Sequence, residues 1–127
     1  MGYRSQLYAV VGLIDLPEFD RLLKETDLAG CFEECNKTDL AVEYRASHLK
    51  WYDGYTDVDK INGFFNDSKF SILLRIGEEF PDRELYTGNS DLEQILAGIA
   101  PENAQDREIL LNALRASTEK DNPSILA

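Results

Sequence analysis

The sequence predicts a single α+β domain, with a small, mainly antiparallel sheet of about four strands and helices packed on one face. Two observations lead to this class. Segments in which apolar and polar residues alternate, as in half-buried strands, are interleaved with segments whose apolar residues recur every three or four positions, as in amphipathic helices. The chain also has 127 residues and 43% hydrophobic content, which is enough to build one core without disulfides or metals.

The first strand is expected over residues 3–13, because its odd-numbered positions are largely apolar and form one face. A helix follows, with Asp15 as its N-cap, Pro17 in the first turn and Glu18 three positions after the cap. A second, short helix is expected within residues 28–37 (LAGCFEECNK), although Gly30 weakens that prediction.

The second predicted strand begins near Leu40 and changes phase near its end. Apolar residues occupy even positions up to Ala46, whereas Leu49 and Trp51 occupy odd positions. A slip of one residue indicates a β-bulge or a strand bend. The alternative is that Leu49 and Trp51 lie on the outer face of the strand.

Two strands and two capped helices complete the predicted order. Thr56 and Asp59 resemble a capping box for a helix that starts after an Asp-Gly turn, and Ser90 and Glu93 resemble a second one. Strands are expected over residues 70–76 and 84–87.

The last helix is expected to end near Ala116, after an interruption of the helical pattern at Pro101. Residues 1–116 would then form the domain and residues 117–127 a flexible tail. The element order β-α-β-α-β-β-α suggests a ferredoxin-like arrangement, permuted or not.

Charge and hydropathy limit the partners. The formal net charge of −11 argues against direct binding of nucleic acid, which needs Lys and Arg to neutralise phosphates. It suits electrostatic steering toward a basic protein, although acidity also serves solubility alone. No run approaches the roughly 20 apolar residues that span a bilayer, and the first residues do not resemble a signal peptide. A cytoplasmic protein is therefore expected.

Few residues are suited to catalysis or metal binding. The chain has one His and two Cys, and it lacks the common nucleophile, zinc-binding and phosphate-loop motifs. Cys31 and Cys35 would lie one turn apart in the predicted helix, where disulfide geometry is poor. Buried or incidental thiols are favoured over a redox pair or a zinc site, and Cys35 with His48 lacks a catalytic context. We expect no enzyme, no catalytic residue, no metal and no cofactor.

Charge placement suggests an anion-binding face. Arg4, Arg45 and Arg75 fall on predicted strands, whereas residues 15–39 are rich in Asp and Glu. One sheet face would carry these three arginines together with Gln6, Tyr8 and Ser71, and it could receive an anion. An open antiparallel sheet must also have a polar face, and arginine stems can simply cover apolar surface there.

The segment KWYDGY (residues 50–55) is the strongest candidate for a contact surface. Trp51 either fills the core and fixes the turn or contacts a partner, whereas Tyr52 and Tyr55 are better contact candidates. The predicted partner-binding set adds neighbouring and acidic-side carboxylates to these aromatics: Trp51, Tyr52, Asp53, Tyr55, Asp57, Glu33 and Glu34.

Three segments carry a resemblance to a family: MGYRS at the start, KWYDGYTDV in the middle and FSILLRIGEEF later. In this order they resemble small uncharacterised bacteriophage and prophage accessory proteins over roughly residues 1–80. The resemblance implies a protein that acts in the cytoplasm of an infected bacterium. It implies no catalytic residues.

These observations favour a non-enzymatic phage protein that binds and inhibits a host protein. The expected target is a nucleic-acid-handling defence complex, so the protein would be an inhibitor of the anti-CRISPR or anti-restriction type. It would act by occlusion or by carboxylates that imitate the phosphates of nucleic acid. One alternative is a binder that sequesters a nucleotide-type signal, with Arg4, Arg45 and Arg75 on the phosphates and aromatic residues on the base. Another is a structural module that forms a homo-oligomer.

Overall fold

A computed structural model describes residues 3–52, 54–79, 82–97 and 104–121. The helices and strands are, in chain order, β1 (Ser5–Gly12), α1 (Leu16–Lys24), β2 (Glu33–Lys37), β3 (Ala41–Leu49), α2 (Thr56–Asp67), β4 (Ser71–Gly77), β5 (Arg83–Tyr86), α3 (Ser90–Ala97) and α4 (Ala104–Asp121).

The five strands form one sheet in the order β2-β3-β1-β4-β5, and every neighbouring pair is antiparallel. The α+β class and the antiparallel sheet are therefore confirmed, with five strands in place of about four. The first six elements connect as β-α-β-β-α-β, with β1 between β3 and β4. That connectivity is ferredoxin-like, and β5, α3 and α4 are added after it.

The additional strand is β2, which replaces the helix expected within residues 28–37. Glu33 pairs with Arg45 and Lys37 with Val42, with a register shift next to Cys35. All five residues of β2 are exposed, so no alternation of buried and exposed positions marks the strand in the sequence. Phe32, just before it, enters the core instead. Cys35 is an exposed strand residue and Cys31 lies half-buried before the strand, so the two are not a helical pair.

The helices lie on both faces of the sheet, which corrects the expectation of one covered face. Leu7, Ala9 and Val11 of β1 share a core with α1 and α2, and we call this side the α1–α2 face. Tyr8 and Val10 share a second core with Leu92 of α3 and with α4, on the α3–α4 face. A strand that is covered on both sides is apolar at nearly every position, and β1 is buried at seven of its eight positions. Assigning its odd and even residues to a buried and an exposed side hid the second covered face.

The core on the α1–α2 face is built around the fully buried ring of Phe19. Its centroid lies 5.3–6.0 Å from the rings of Phe32, Tyr44, Phe64 and Phe65, in tilted or edge-on contacts. Full burial of one such side chain stabilises the fold by about 1.5–3 kcal/mol. This cluster packs α1 and α2 against the sheet.

The phase slip in the second strand is confirmed as an irregularity of the β1–β3 ladder. Ser5 pairs with Leu49 but Leu7 pairs with Ala46, so β3 contains one extra residue there. Within it His48 has φ of 58°, a left-handed conformation that few residues other than glycine adopt. The extra residue turns the side chains that follow it to the other face, which is how Leu49 and Trp51 reach the core despite their parity.

The helix starts differ from the predicted capping boxes. Asp15 precedes α1 without a side-chain cap; its Oδ2 accepts hydrogen bonds from the hydroxyls of Ser68 (2.5 Å) and Ser71 (2.6 Å). In α3 the cap is Asn89, whose Oδ1 accepts from the backbone N–H groups of Asp91 and Leu92. Local spacing identifies side chains that can cap, but tertiary neighbours compete for the same oxygens.

The last helix, α4, continues to Asp121, past the expected end near Ala116. Residues 122–127 of the expected tail lie outside the described residues. Within the part of the chain that the structure describes, no helix combines the length and apolar character needed to cross a membrane.

Candidate interaction surface

The three arginines expected to bind an anion do not come together. Arg75 lies opposite Leu7 in the β1–β4 ladder, on the α1–α2 face. Arg45 lies opposite Tyr8, on the α3–α4 face, with its guanidinium 5.2 Å from the centre of the Tyr8 ring. Because β4 is buried on both faces, the alternation of its residues could not show which face of the sheet Arg75 would occupy.

Arg75 is only 6% exposed and is held by ion pairs. Its Nη2 lies 2.6 Å from Oδ1 of Asp82, its Nε donates to Glu84 at 2.8 Å and its Nη1 donates to the Ser5 hydroxyl at 3.0 Å. Burial alone would lower the pKa of Arg75, but the hydrogen bonds to Asp82 and Glu84 raise it above its usual value. Arg75 is therefore a structural residue of the sheet.

Trp51 is also a core residue, 6% exposed. Its indole Nε1 donates to Oδ1 of the buried Asn62 at 3.0 Å, and its ring meets Phe32 edge-on at 6.1 Å. The side chain thus fixes the start of α2 against the sheet, as one of the two hypotheses for it predicted. It offers a partner very little surface.

Tyr52 and Tyr55 form an aromatic pair in which Tyr52 is half-buried and Tyr55 is exposed. Together with Gly54 and Thr56, we call this segment the Tyr52–Tyr55 corner. Tyr55 is 50% exposed, and its ring centroid lies 5.4 Å from that of Tyr52 at an angle of 71°. Gly54 has φ of 93°, which glycine adopts without strain. Asp53 lies outside the described residues.

Two carboxylates of α2 accept hydrogen bonds from backbone N–H groups at and beside this corner. The Asp59 carboxylate accepts the backbone N–H of Gly54 at 3.1 Å, and Tyr55 is the N-cap residue without a side-chain cap, so the expected Thr56–Asp59 capping box does not form. Asp57 is half-buried and accepts the N–H of Asp27 at 3.1 Å. Asp57 therefore ties the loop after α1 to α2, and it is less available to a partner than its position in the sequence suggested.

A groove runs between α1 and α2 beside the corner. It has a volume of about 590 Å³, and five carboxylates and one ammonium group line it; we call it the α1–α2 groove. Its lining residues are Asp15, Glu18, Leu22, Glu25, Asp59, Lys60, Gly63, Phe64, Asp67 and Ser68. Asp59 lines the groove and also accepts a hydrogen bond from the backbone of Gly54, so it links the groove to the Tyr52–Tyr55 corner.

An arginine on α1 partly neutralises the rim of this groove. Arg21 lies 2.5 Å from carboxylate oxygens of both Glu18 and Glu25. Glu18 first, and Glu25 with it, raise the pKa of Arg21. Exposed ion pairs of this kind contribute only about 0–1 kcal/mol to stability. The carboxylates of α2 across the groove, Asp59 and Asp67, are exposed.

Glu33 and Glu34 lie on the edge strand β2 and point to opposite faces. Glu33 is across from Arg45, and Glu34 is across from Tyr44 on the α1–α2 face. The pKa of Tyr44 is raised by burial and then by the charges of Asp20 and Glu34. Glu34 and Asp20 therefore extend the acidic surface to the other side of α1, whereas Glu33 is not part of it.

The groove residues of α2 were not among the predicted contact residues, although their spacing in the sequence carries a signal. Asp59, Gly63 and Asp67 are spaced four residues apart, which places them on one face of a helix. Glu18, Leu22 and Glu25 have the matching spacing on α1. What the sequence did not show is that these two faces lie against each other.

Among the described residues no group of three or more His, Cys, Asp or Glu side chains could hold a metal ion. The arrangement is suited to recognition, because the exposed Tyr55 ring supplies rigid contact area and nearby carboxylates favour cationic groups. No protein-family model, curated protein or solved structure matches this chain.

Proposed function

We propose that the protein is a non-enzymatic, phage-encoded inhibitor that binds a host protein through the Tyr52–Tyr55 corner and the α1–α2 groove. The host protein would be a component of a nucleic-acid-handling defence complex, as for anti-CRISPR or anti-restriction proteins. One observation carries the proposal: the exposed Tyr55, in ring contact with the half-buried Tyr52, lies close to a groove whose described lining residues include five carboxylates and one ammonium group.

The charge of this surface suggests the kind of partner. A protein that holds nucleic acid must present Lys and Arg to the phosphates, and the groove carboxylates complement such a surface. The tyrosines can act as central anchors, because buried Tyr and Arg residues dominate the energy of many interfaces. Binding there would exclude the nucleic acid by occlusion, with carboxylates in the place of phosphates.

The position of the arginines and of Trp51 gives no support to a nucleotide-type ligand held by Arg4, Arg45 and Arg75 together. Arg75 is paired with Asp82 and Glu84, and Trp51 is buried, so neither is available to a phosphate or a base. A homo-oligomeric module remains the contrasting outcome of the test below.

Phage plating tests the proposal. The protein is expressed in bacteria that carry a restriction or CRISPR system, and a sensitive phage is plated. We expect plating to be restored by the parent chain and lost with Tyr55→Ala or Asp67→Lys. Glu93→Lys is the matched control, because it makes the same charge change on an exposed residue of α3, across the sheet. The proposal is contradicted if both Tyr55→Ala and Asp67→Lys still restore plating. It is also contradicted if the parent chain restores plating against neither the restriction system nor the CRISPR system.

Binding is then measured on the purified defence complex by size-exclusion chromatography at about 50 mM and about 500 mM NaCl, because a contact between exposed charges weakens as salt shortens the Debye length. We expect co-elution at low salt that decreases at high salt. If the protein instead elutes alone as a dimer that Tyr55→Ala dissociates, the corner serves self-association and the proposed target is wrong.

A further inference from the structure

The start of β1 and the end of β4 lie side by side, which brings residues 3–5 and residues 75–78 together at one end of the sheet. Ser5 pairs with Gly77 and Gln6 with Ile76. The backbone N–H of Arg4 donates to Oε1 of Glu78 at 2.9 Å. The proposed partner surface uses none of these residues, since it lies on the α1–α2 side.

The backbone beneath this end of the sheet is tightly held. The Tyr3 hydroxyl donates to Asp82 at 2.7 Å and accepts the N–H of Glu79 at 3.0 Å. A Cβ atom at Gly77 would lie 2.0 Å from Oδ2 of Asp82 and 2.3 Å from the Tyr3 hydroxyl. With the Arg75–Ser5 hydrogen bond below, these contacts give the site a rigid floor.

Arg4 is oriented from the neighbouring strand. Its Nη1 donates to the carbonyl oxygen of His48 at 3.3 Å, and His48 has the left-handed φ of 58°. Backbone in this conformation is strained for a residue other than glycine, and such strain is often found at binding sites. A guanidinium has five N–H donors, so one bond to His48 leaves most of the donors of Arg4 for another acceptor.

A cavity of about 170 Å³ lies between these groups, lined by Arg4, Ser5, Gln6, His48, Ile76, Gly77 and Glu78. It is smaller than the roughly 300–1,000 Å³ of sites that take whole small molecules, so it suits a single chemical group. Of the lining residues, Arg4, Gln6 and His48 carry side-chain N–H donors. The Ser5 hydroxyl already accepts a hydrogen bond from Arg75. Among the described lining residues, Glu78 alone carries a carboxylate, and its Oε1 already accepts the backbone N–H of Arg4.

We propose that this cavity is an oxyanion site that takes a phosphate group, with Arg4 as the principal contact and Gln6 and His48 as additional donors. The planar guanidinium fork matches the spacing of two phosphate oxygens. The group can come from inorganic phosphate or from a nucleoside monophosphate, and both present the same oxygens. This site differs from the three-arginine site expected from the sequence, because Arg75 lies in its floor and Arg45 does not line it.

The test is a titration of the 15N-labelled full chain with sodium phosphate, and separately with adenosine monophosphate, at constant ionic strength. We expect saturable shifts of amide signals around Arg4, Gln6 and Gly77. Because a hydrogen bond to a charged group contributes about 1.5–3 kcal/mol, Arg4→Gln should weaken phosphate binding by at least about tenfold. Arg45→Gln is the matched control on the same sheet face, outside the cavity lining, and should leave the affinity within about twofold.

His48→Asn tests the contribution of the imidazole ring apart from that of the backbone conformation, because asparagine also tolerates the left-handed conformation. We expect it to weaken phosphate binding while its amide spectrum stays that of the folded chain. The adenosine arm identifies the source: tighter binding than inorganic phosphate, lost with Arg4→Gln, indicates a nucleotide. The proposal is overturned if neither probe gives saturable shifts, or if Arg45→Gln weakens binding as much as Arg4→Gln.

Discussion

The hydrogen bond between Trp51 and Asn62 allows the role of the only tryptophan to be measured. Both side chains are buried, and the indole Nε1 lies 3.0 Å from Oδ1 of Asn62. Trp51→Phe keeps an aromatic ring but removes the N–H donor, so the Asn62 oxygen is left buried without that partner. Such a group costs about 1–3 kcal/mol, and the missing ring volume adds to this, so we expect a total loss of about 2–4 kcal/mol.

The assay is urea unfolding followed by far-UV circular dichroism, which does not depend on the tryptophan signal. With a slope of roughly 1–3 kcal/mol per molar urea, the loss lowers the unfolding midpoint by about 1 M or more. Asn62→Leu should also destabilise, because it leaves the indole N–H unpaired in the core. Tyr55→Ala, at a half-exposed position, should stay within about 0.5 kcal/mol of the parent.

The double variant Trp51→Phe with Asn62→Leu decides the physical reason. If the cost of each single change comes from an unpaired buried polar atom, removing both partners should recover about 1–2 kcal/mol relative to the sum of the singles. Additive losses, within about 0.5 kcal/mol, would refute the hydrogen-bond argument. A Trp51→Phe chain as stable as the parent would refute the core assignment itself.

Two further predictions concern the sheet. The Arg75 guanidinium, with the Tyr3 hydroxyl, holds the pKa of the Asp82 carboxyl below its usual value. The ionised carboxylate therefore stabilises the fold fully above the unfolded-state pKa of about 3.9. This stabilisation is lost as the pH falls through the lower folded-state pKa. Asp82→Asn should therefore lower the urea midpoint at about pH 7, and the difference should narrow toward about pH 2; a constant difference would contradict this. Gly12→Ala should destabilise by about 1–3 kcal/mol, because its Cβ would lie 2.6 Å from the Phe70 carbonyl oxygen. Gly63→Ala in α2, with open space around the new Cβ, should stabilise by about 0.5–1 kcal/mol, and equal effects of the two changes in thermal unfolding would refute the packing argument.

Several parts of the fold could be predicted because they repeat a local pattern. The apolar segments that became β1, β3 and β4 and the apolar stripes of α1 and α2 each follow from burial of one element against its neighbours. The phase slip near His48 was visible for the same reason, since a bulge moves the buried set to the other parity. β2 has no buried residue, so its sequence contains no such pattern, and only pairing with β3 makes it a strand.

The candidate sites also contain some residues that could be predicted from the sequence and others that could not. Tyr52 and Tyr55 were predicted as contact residues from their place at a strand-to-helix corner, and the structure exposes Tyr55 but leaves Tyr52 half-buried. The core position of Trp51 was one of two hypotheses. The partner of Arg75 was not predictable, because Asp82 and Glu84 reach it through the β4–β5 turn and ladder. The Arg4–His48 contact joins residues 44 positions apart, and no local spacing indicates it.

The sequence by itself determined the acidic charge, the α+β class and the identity of most core-facing residues, because these depend on composition and on periodicity within single elements. The tertiary structure decided which elements meet: the second helix layer on the α3–α4 face, the opposition of α1 and α2 that forms the acidic groove, and the convergence of Arg4, Gln6 and His48 around one small cavity. The physical reason is that these contacts join residues far apart along the chain, and only the strand order and register bring them within bonding distance.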